Sequence, residues 1–220
     1  MSEPLRLDTG HGSLSAAIHT PVRPSGDRVI LTHGASGSYA TPNLVAVCDA
    51  LAERGIEAVR FNLPAAERKR RSPDRAPIVE AVWRDVAARL RDGTERLVIG
   101  GRSYGGRMAS HVAAVDPHAC DGVLLLAYPL HPPGKPEQQR TQHLSSIQVP
   151  ILVVQGDRDP FASGTLLEEA FEPLERATIH RIPGGDHSHA VRGRTTADVA
   201  AEVAGAVVAW LAASVDSGAA

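Results

Sequence analysis

The stretch Leu97-Val98-Ile99-Gly100-Gly101-Arg102-Ser103-Tyr104-Gly105-Gly106-Arg107-Met108-Ala109-Ser110-His111-Val112 decides how this chain is read. A short apolar run enters a glycine-flanked serine, and a helical pattern leaves it. The expected local structure is strand, sharp turn, helix, with Ser103 at the apex. Gly101 and Gly105 fit such a turn because a Cβ at either position would clash where strand and helix approach closely. The turn strains the serine backbone and raises its Oγ above the sheet, where a nucleophile is useful. The pentapeptide by itself is weak. With this much glycine and serine, about one chain in eight of this length would carry a G-x-S-x-G by chance. The segments around it must carry the reading.

Outward from the elbow, short apolar runs alternate with helical patterns. Strands are expected at Val29–Thr32, Ala58–Phe61, Leu97–Ile99, Val123–Leu126, Ile151–Val154 and Ala177–Ile182. Several are continuously apolar, as central parallel strands covered on both faces are. Leu5–Asp8 and Leu14–His19 alternate more and suit an antiparallel edge hairpin. Thr41-Pro42 offers an N-cap and an N1 proline to a helix with Leu44, Val47, Cys48 and Leu51 on one stripe, ended by Gly55. Pro77 opens a second helix, which closes near Gly93. A final helix carries Val199, Val203, Ala206, Val207, Trp210 and Leu211. The βα alternation predicts a doubly wound, mostly parallel sheet with helices on both faces. Residues 1–215 are expected to form one domain, with 216–220 a frayed tail.

The chain has 220 residues, 43% apolar and 22% charged, with a net charge of −2. That balance argues against generic binding of nucleic acid or anionic membranes. Cys48 and Cys120 show no disulfide or metal spacing. No signal peptide and no spanning apolar stretch is apparent, so a cytoplasmic protein is expected.

A serine hydroxyl needs a base, a carboxylate to orient that base, and donors for an oxyanion. Open α/β sheets place such groups in loops past the carboxyl ends of strands. After Ile151–Val154 comes Gln155-Gly156-Asp157-Arg158-Asp159-Pro160, where a G-x-x-D spacing favours Asp159 over Asp157 as the acid. After Ala177–Ile182 comes Pro183-Gly184-Gly185-Asp186-His187-Ser188-His189, where G-x-x-H favours His187 over His189 as the base. A metal reading of Asp186, His187 and His189 lacks a further ligand cluster, and no cofactor is expected. After Val29–Thr32 comes His33-Gly34-Ala35-Ser36-Gly37. The backbone N–H groups of Ala35 and Tyr104 are the candidate oxyanion donors, and His33 is expected to brace the loop. Serine, acid and histidine follow in the order used by α/β-hydrolases.

Several segments carry a closer resemblance. They are Phe61-Asn62-Leu63-Pro64, Arg70-Arg71-Ser72-Pro73-Asp74-Arg75, Gly100 to Ser110, Tyr128-Pro129-Leu130-His131-Pro132-Pro133-Gly134-Lys135-Pro136, Gln155 to Phe161, and Gly184 to Ser188. On these the chain resembles the small, lidless, dienelactone-hydrolase-like α/β-hydrolases. That branch includes a testis-expressed protein and the hydrolase-like domain of a non-specific-lethal complex subunit. The resemblance implies an α/β-hydrolase fold without a cap domain and a triad of Ser103, Asp159 and His187. Tyr104 stands where the branch would have methionine, and His189 where it would have an aromatic residue. Dienelactone hydrolases proper use a cysteine nucleophile, so their reaction does not carry over.

The segment Pro129–Pro150 is too short for a helical lid, so an open site is expected. Tyr39, Tyr128 and His131 follow strand ends and are candidate pocket residues. The basic run Arg68-Lys69-Arg70-Arg71 reads either as a solvated loop or as a rim of the site. The function expected is a serine hydrolase of carboxylic esters or thioesters with small or medium acyl groups, and with no nucleic-acid or membrane partner. The alternative is a non-catalytic protein-interaction module on the same fold, which would bring a protein partner.

Overall fold

A computed structural model of the chain describes residues 2–162 and 164–216. The strands are β1 (Ser2–Thr9), β2 (Gly12–His19), β3 (Asp27–Thr32), β4 (Glu57–Phe61), β5 (Arg96–Arg102), β6 (Gly122–Leu126), β7 (Ile151–Gly156) and β8 (Ala177–Ile182). The helices are α1 (Pro42–Ala52), α2 (Pro64–Glu67), α3 (Ala76–Arg89), α4 (Tyr104–Val115), α5 (Thr165–Phe171) and α6 (Thr196–Asp216). The strands form one 8-stranded sheet in the order β1-β2-β4-β3-β5-β6-β7-β8. β1 and β2 pair antiparallel, and β2 meets β4 antiparallel. From β4 through β8 the pairing is parallel.

Successive residues of a strand point to opposite faces, and here they divide between two cores. Ile30, Val59, Ile99, Val123, Leu125 and Val153 pack beneath α3 and α4. Val29, Leu31, Ala58, Val98, Leu124 and Val154 pack beneath α1 and α6. Both faces are therefore apolar, which is why these strands read as unbroken hydrophobic runs. On the α3 side Phe61 meets Trp83 edge to face, with ring centroids 4.9 Å apart. β8 is less covered than the central strands. It closes the sheet, and most of its residues are only half-buried.

Three local readings are corrected. The Thr41 hydroxyl makes no cap bond to α1; it donates 2.8 Å to the Ser38 carbonyl and so closes the loop before the helix. α6 runs through Asp216, into what was expected to be tail, while residues 217–220 lie outside the described residues. A stretch of spanning length is also present. Thr196–Ser214 in α6, with a mean hydropathy of 1.4, is long and apolar enough to cross a bilayer. In the fold its Val199, Val203, Val207 and Trp210 are buried against the sheet and α1, so one face of the helix packs on the core and the other is open. Between β6 and β7 the chain forms only a short 3-10 turn at Leu144–Ser146 and no cap domain.

Candidate active site

The chain order reverses across β3 and β5, which are neighbours in the sheet. A crevice forms where loops leave adjacent strands in opposite directions. Ser103 sits at the carboxyl end of β5, immediately before α4, with φ 52° and ψ −114°. A non-glycine residue in that region stores about 1–3 kcal/mol of strain that the surroundings must hold in place. The surrounding glycines allow it. A Cβ on Gly101, whose φ is +152°, would lie 2.4 Å from the Thr32 carbonyl oxygen, and one on Gly105 would lie 2.5 Å from that of His33.

Ser103, His187 and Asp159 form a hydrogen-bonded chain. The Ser103 Oγ lies 3.0 Å from His187 Nε2, and His187 Nδ1 lies 2.7 Å from Asp159 Oδ2. The Asp159 side chain is 0% exposed and that of His187 24%, so the acid is sealed and the base faces the crevice. Asp157 is turned elsewhere and accepts from the Gly184 N–H at 2.7 Å. His189 is buried behind the loop, and its ring bonds the Val154 backbone. Of the paired candidates, Asp159 and His187 are the ones brought to Ser103.

The carboxylate is held by groups that sequence reasoning passed over. Gln155 donates from Nε2 to Asp159 Oδ2 and accepts the Tyr128 N–H at 2.8 Å on Oε1. The Phe161 N–H donates 2.9 Å to Asp159 Oδ1. The Phe161 ring meets the His187 imidazole edge to face at 4.6 Å. Arg102 ties the elbow to the histidine loop. Its Nη2 donates to the His187 carbonyl at 2.8 Å and to Ser188 Oγ at 3.1 Å. The one signal for these residues in the sequence was adjacency to the candidate triad.

Ala35 lies in the wall of a cleft of about 280 Å³ over Ser103 and His187. Tyr104 is the first residue of α4, where helix geometry leaves the N–H without an intrahelical acceptor. His33 bridges two loops: its Nδ1 lies 2.7 Å from the Gly34 carbonyl, and its Nε2 accepts the Leu63 N–H at 3.0 Å. Burial holds this imidazole below its ordinary pKa, in keeping with a neutral brace.

Tyr39, Tyr128 and His131 are not among the described residues that wall this cleft. The Tyr39 ring lies 5.1 Å from the Arg60 guanidinium. Ala127 has φ 52°, which turns the chain as it leaves β6. Tyr128 then enters the core, packs on Phe171 and donates 2.9 Å to the Arg140 carbonyl. His131 is buried with Nδ1 2.8 Å from the Pro132 carbonyl. In the basic run, Arg68 and Arg70 pair with the buried Asp74. The Asp74 carbonyl in turn accepts the Tyr104 hydroxyl at 2.6 Å. This loop thus leans on the residue after Ser103, with its basic side chains exposed. Burial pushes the Cys48 and Cys120 thiols up to about 12, so neither supplies a thiolate.

The half-buried His143 and the buried His189 give the fold an acid-sensitive margin. Burial, followed by the neighbouring His111 and Arg107, lowers His143 to about 3. Burial, followed by Arg102, lowers His189 to about 4. Both are neutral when folded but take a proton near the ordinary 6.5 when unfolded. Below that pH the unfolded state binds more protons, so stability falls with pH until the folded values are reached. The loss per pH unit is at most about 1.4 kcal/mol for each histidine. Thermal melts should step down from pH 7 to pH 4.5. His143→Gln keeps a polar partner for Ser110 Oγ and takes no proton, so it should flatten part of that slope.

Comparison with known proteins agrees with this architecture. The family model described as "Alpha/beta hydrolase domain" matches residues 25–213. "Putative protein-lysine deacylase ABHD14B" of Pongo abelii is 27% identical over 154 residues, 70% of each chain. The crystal structure of XC6422 from Xanthomonas campestris, described as an α/β serine hydrolase without lid, is 27% identical, with a TM-score of 0.77 over 95% of this chain and 94% of that one. Dienelactone hydrolase from Anabaena variabilis shares the fold, with a TM-score of 0.77 at 18% identity over 97% and 98% of the two chains. The chain belongs to the α/β-hydrolase domain family and is a lidless enzyme of the serine-hydrolase type.

Proposed function

We propose that Ser103, His187 and Asp159 are the catalytic triad of a hydrolase for carboxylic esters or thioesters. The observation that carries this reading is the unbroken chain from Ser103 Oγ to Asp159, 3.0 Å and 2.7 Å in its two links. Ser103 Oγ attacks the carbonyl carbon as His187 Nε2 takes the hydroxyl proton. The Ala35 and Tyr104 N–H groups hold the oxyanion. His187 then gives the proton to the departing alkoxide or thiolate. Water attacks the acyl-enzyme by the same route in reverse, regenerating Ser103 and releasing the acid. Asp159 holds the imidazole with Nε2 toward Ser103 and stabilises its cationic form. Gln155 and the Phe161 N–H keep Asp159 in place.

An acylated lysine amide is the second reading of the same triad. It is favoured by the protein-lysine deacylase name of the 27% identical relative. A screen of matched esters and amides separates the two.

Labelling with a fluorophosphonate probe tests the triad. Native protein should label, and Ser103→Ala and His187→Ala should not, with melts showing all three folded. Folded native protein that takes no label would overturn the hydrolase reading in favour of an interaction module.

A further inference from the structure

A second cavity lies beside the cleft, between α1, α6 and the loop that follows His187. It is a half-open recess of about 320 Å³, and Leu44, Val47, Leu126, Val199, Ala200 and Val203 form most of its apolar wall. Small-molecule sites start at about 300 Å³ and are mostly apolar with a few placed polar groups. Thr41, Leu44 and Arg102 wall both this cavity and the cleft over Ser103. The two spaces therefore meet along one shared stretch of wall.

The polar groups of this cavity gather around Ser188. Asn43 Nδ2 donates to the Ser188 carbonyl at 3.0 Å, and Arg102 Nη2 to Ser188 Oγ at 3.1 Å. Asn43 Oδ1, Arg102 Nε and His189 Nε2 are buried and have no hydrogen-bond partner among the described residues. His189 is itself nine-tenths buried. Arg102 forms no ion pair among the described residues either; its charge is held by the neutral acceptors of the histidine loop. These atoms are sealed from the cavity space, so an apolar occupant leaves them as they are. A recess walled mostly by apolar side chains beside a nucleophile suits an apolar chain whose polar head stays at the nucleophile.

We propose that this cavity is the acyl subsite of Ser103, taking an unbranched apolar acyl chain that passes Leu44 and Arg102 and lies between Val47 and Val203. The assignment rests on the triad reading above. The acid portion is favoured over the alcohol portion for a chemical reason. The leaving group must depart before water can attack, whereas the acyl group stays bonded to Ser103 Oγ through both steps. A recess with apolar walls suits the part that stays. At roughly 30 Å³ for each small group, the space takes a chain of about eight carbons with some slack.

The test is a p-nitrophenyl ester series from acetate to dodecanoate, beside acetate esters of lengthening alcohols. For native protein, kcat/KM should rise by up to about fourfold for each methylene that enters the cavity, and level off near octanoate. Ala200→Phe fills the chamber from α6, and Val47→Phe fills it from α1. In either folded variant the octanoate-to-acetate ratio should fall by about tenfold or more. Because the two substitutions act from opposite walls, misfolding of one leaves the other to decide. A native profile flat in acyl length would overturn the subsite. So would a rise with alcohol length, or an acyl profile that neither folded variant changes. In those cases fluorophosphonate labelling of Ser103 would persist, so the hydrolase reading would stand while the subsite fell. Loss of both labelling and ester turnover would remove the hydrolase reading, and the subsite with it.

Discussion

Ser103→Ala and His187→Ala should each lower kcat by about a millionfold, and the double variant should fall no further. In the proposed mechanism the Ser103 Oγ and His187 Nε2, 3.0 Å apart, act as one unit, so removing either should remove both functions. Asp159→Asn should cost less, roughly ten-thousandfold. It leaves the imidazole in place while its Nδ1, 2.7 Å from the Asp159 side chain, loses the anionic partner. The residual rate over water measures what the Ala35 and Tyr104 N–H groups and substrate binding supply alone. Single-turnover kinetics with a p-nitrophenyl ester reads all four variants. Equal, additive losses for Ser103→Ala and His187→Ala would mean that the two side chains do not share a proton.

Gly100→Ala should destabilise the fold by about 4 kcal/mol or more, well beyond an ordinary substitution. A Cβ there would lie 2.0 Å from the Leu124 carbonyl oxygen and 2.8 Å from its carbonyl carbon. Those are backbone atoms of β6, opposite Gly100 in the ladder. They cannot move aside as the end of a side chain can, because β6 is held by β5 on one side and β7 on the other. The next residue, Gly101, presents the same problem to β3, through Thr32. Two consecutive glycines thus let β5 sit between β3 and β6 as it turns into the strained serine. Gly205→Ala is the opposite case. Nothing lies within 4 Å of its Cβ in α6, and alanine should stabilise by about 0.5–1 kcal/mol. Denaturant melts of the two variants should move in opposite directions.

Much of this was legible in the sequence because the same physics marks both. Central strands such as Val123–Leu126 and Ile151–Val154 read as continuous apolar runs because both faces meet a core. Ser103, Asp159 and His187 each stand at a fixed spacing from a glycine where a strand hands over to a loop, and that punctuation is local. What was not legible depends on approach across the fold. Nothing near Gln155 says that its amide will clamp Asp159 on one side and the Tyr128 N–H on the other. Tyr128 follows a strand end, as a pocket residue would, but the left-handed Ala127 before it sends the ring inward. The cavity beside Arg102 exists only once α1 and α6, far apart in the chain, lie side by side.

The place of α6 in the chain has a consequence for how the protein is made. All strands of the sheet precede it, and so does the loop that carries His187. During synthesis at about 5–20 residues per second, the 21 residues of α6 take about one to four seconds to be added. For that interval Val29, Leu31, Leu124 and Val154 have α1 on their face of the sheet but not α6. The arriving segment is apolar enough to suit a bilayer. Until α6 packs, that face of the sheet stays open to aggregation, although the loop that carries His187 has already been made.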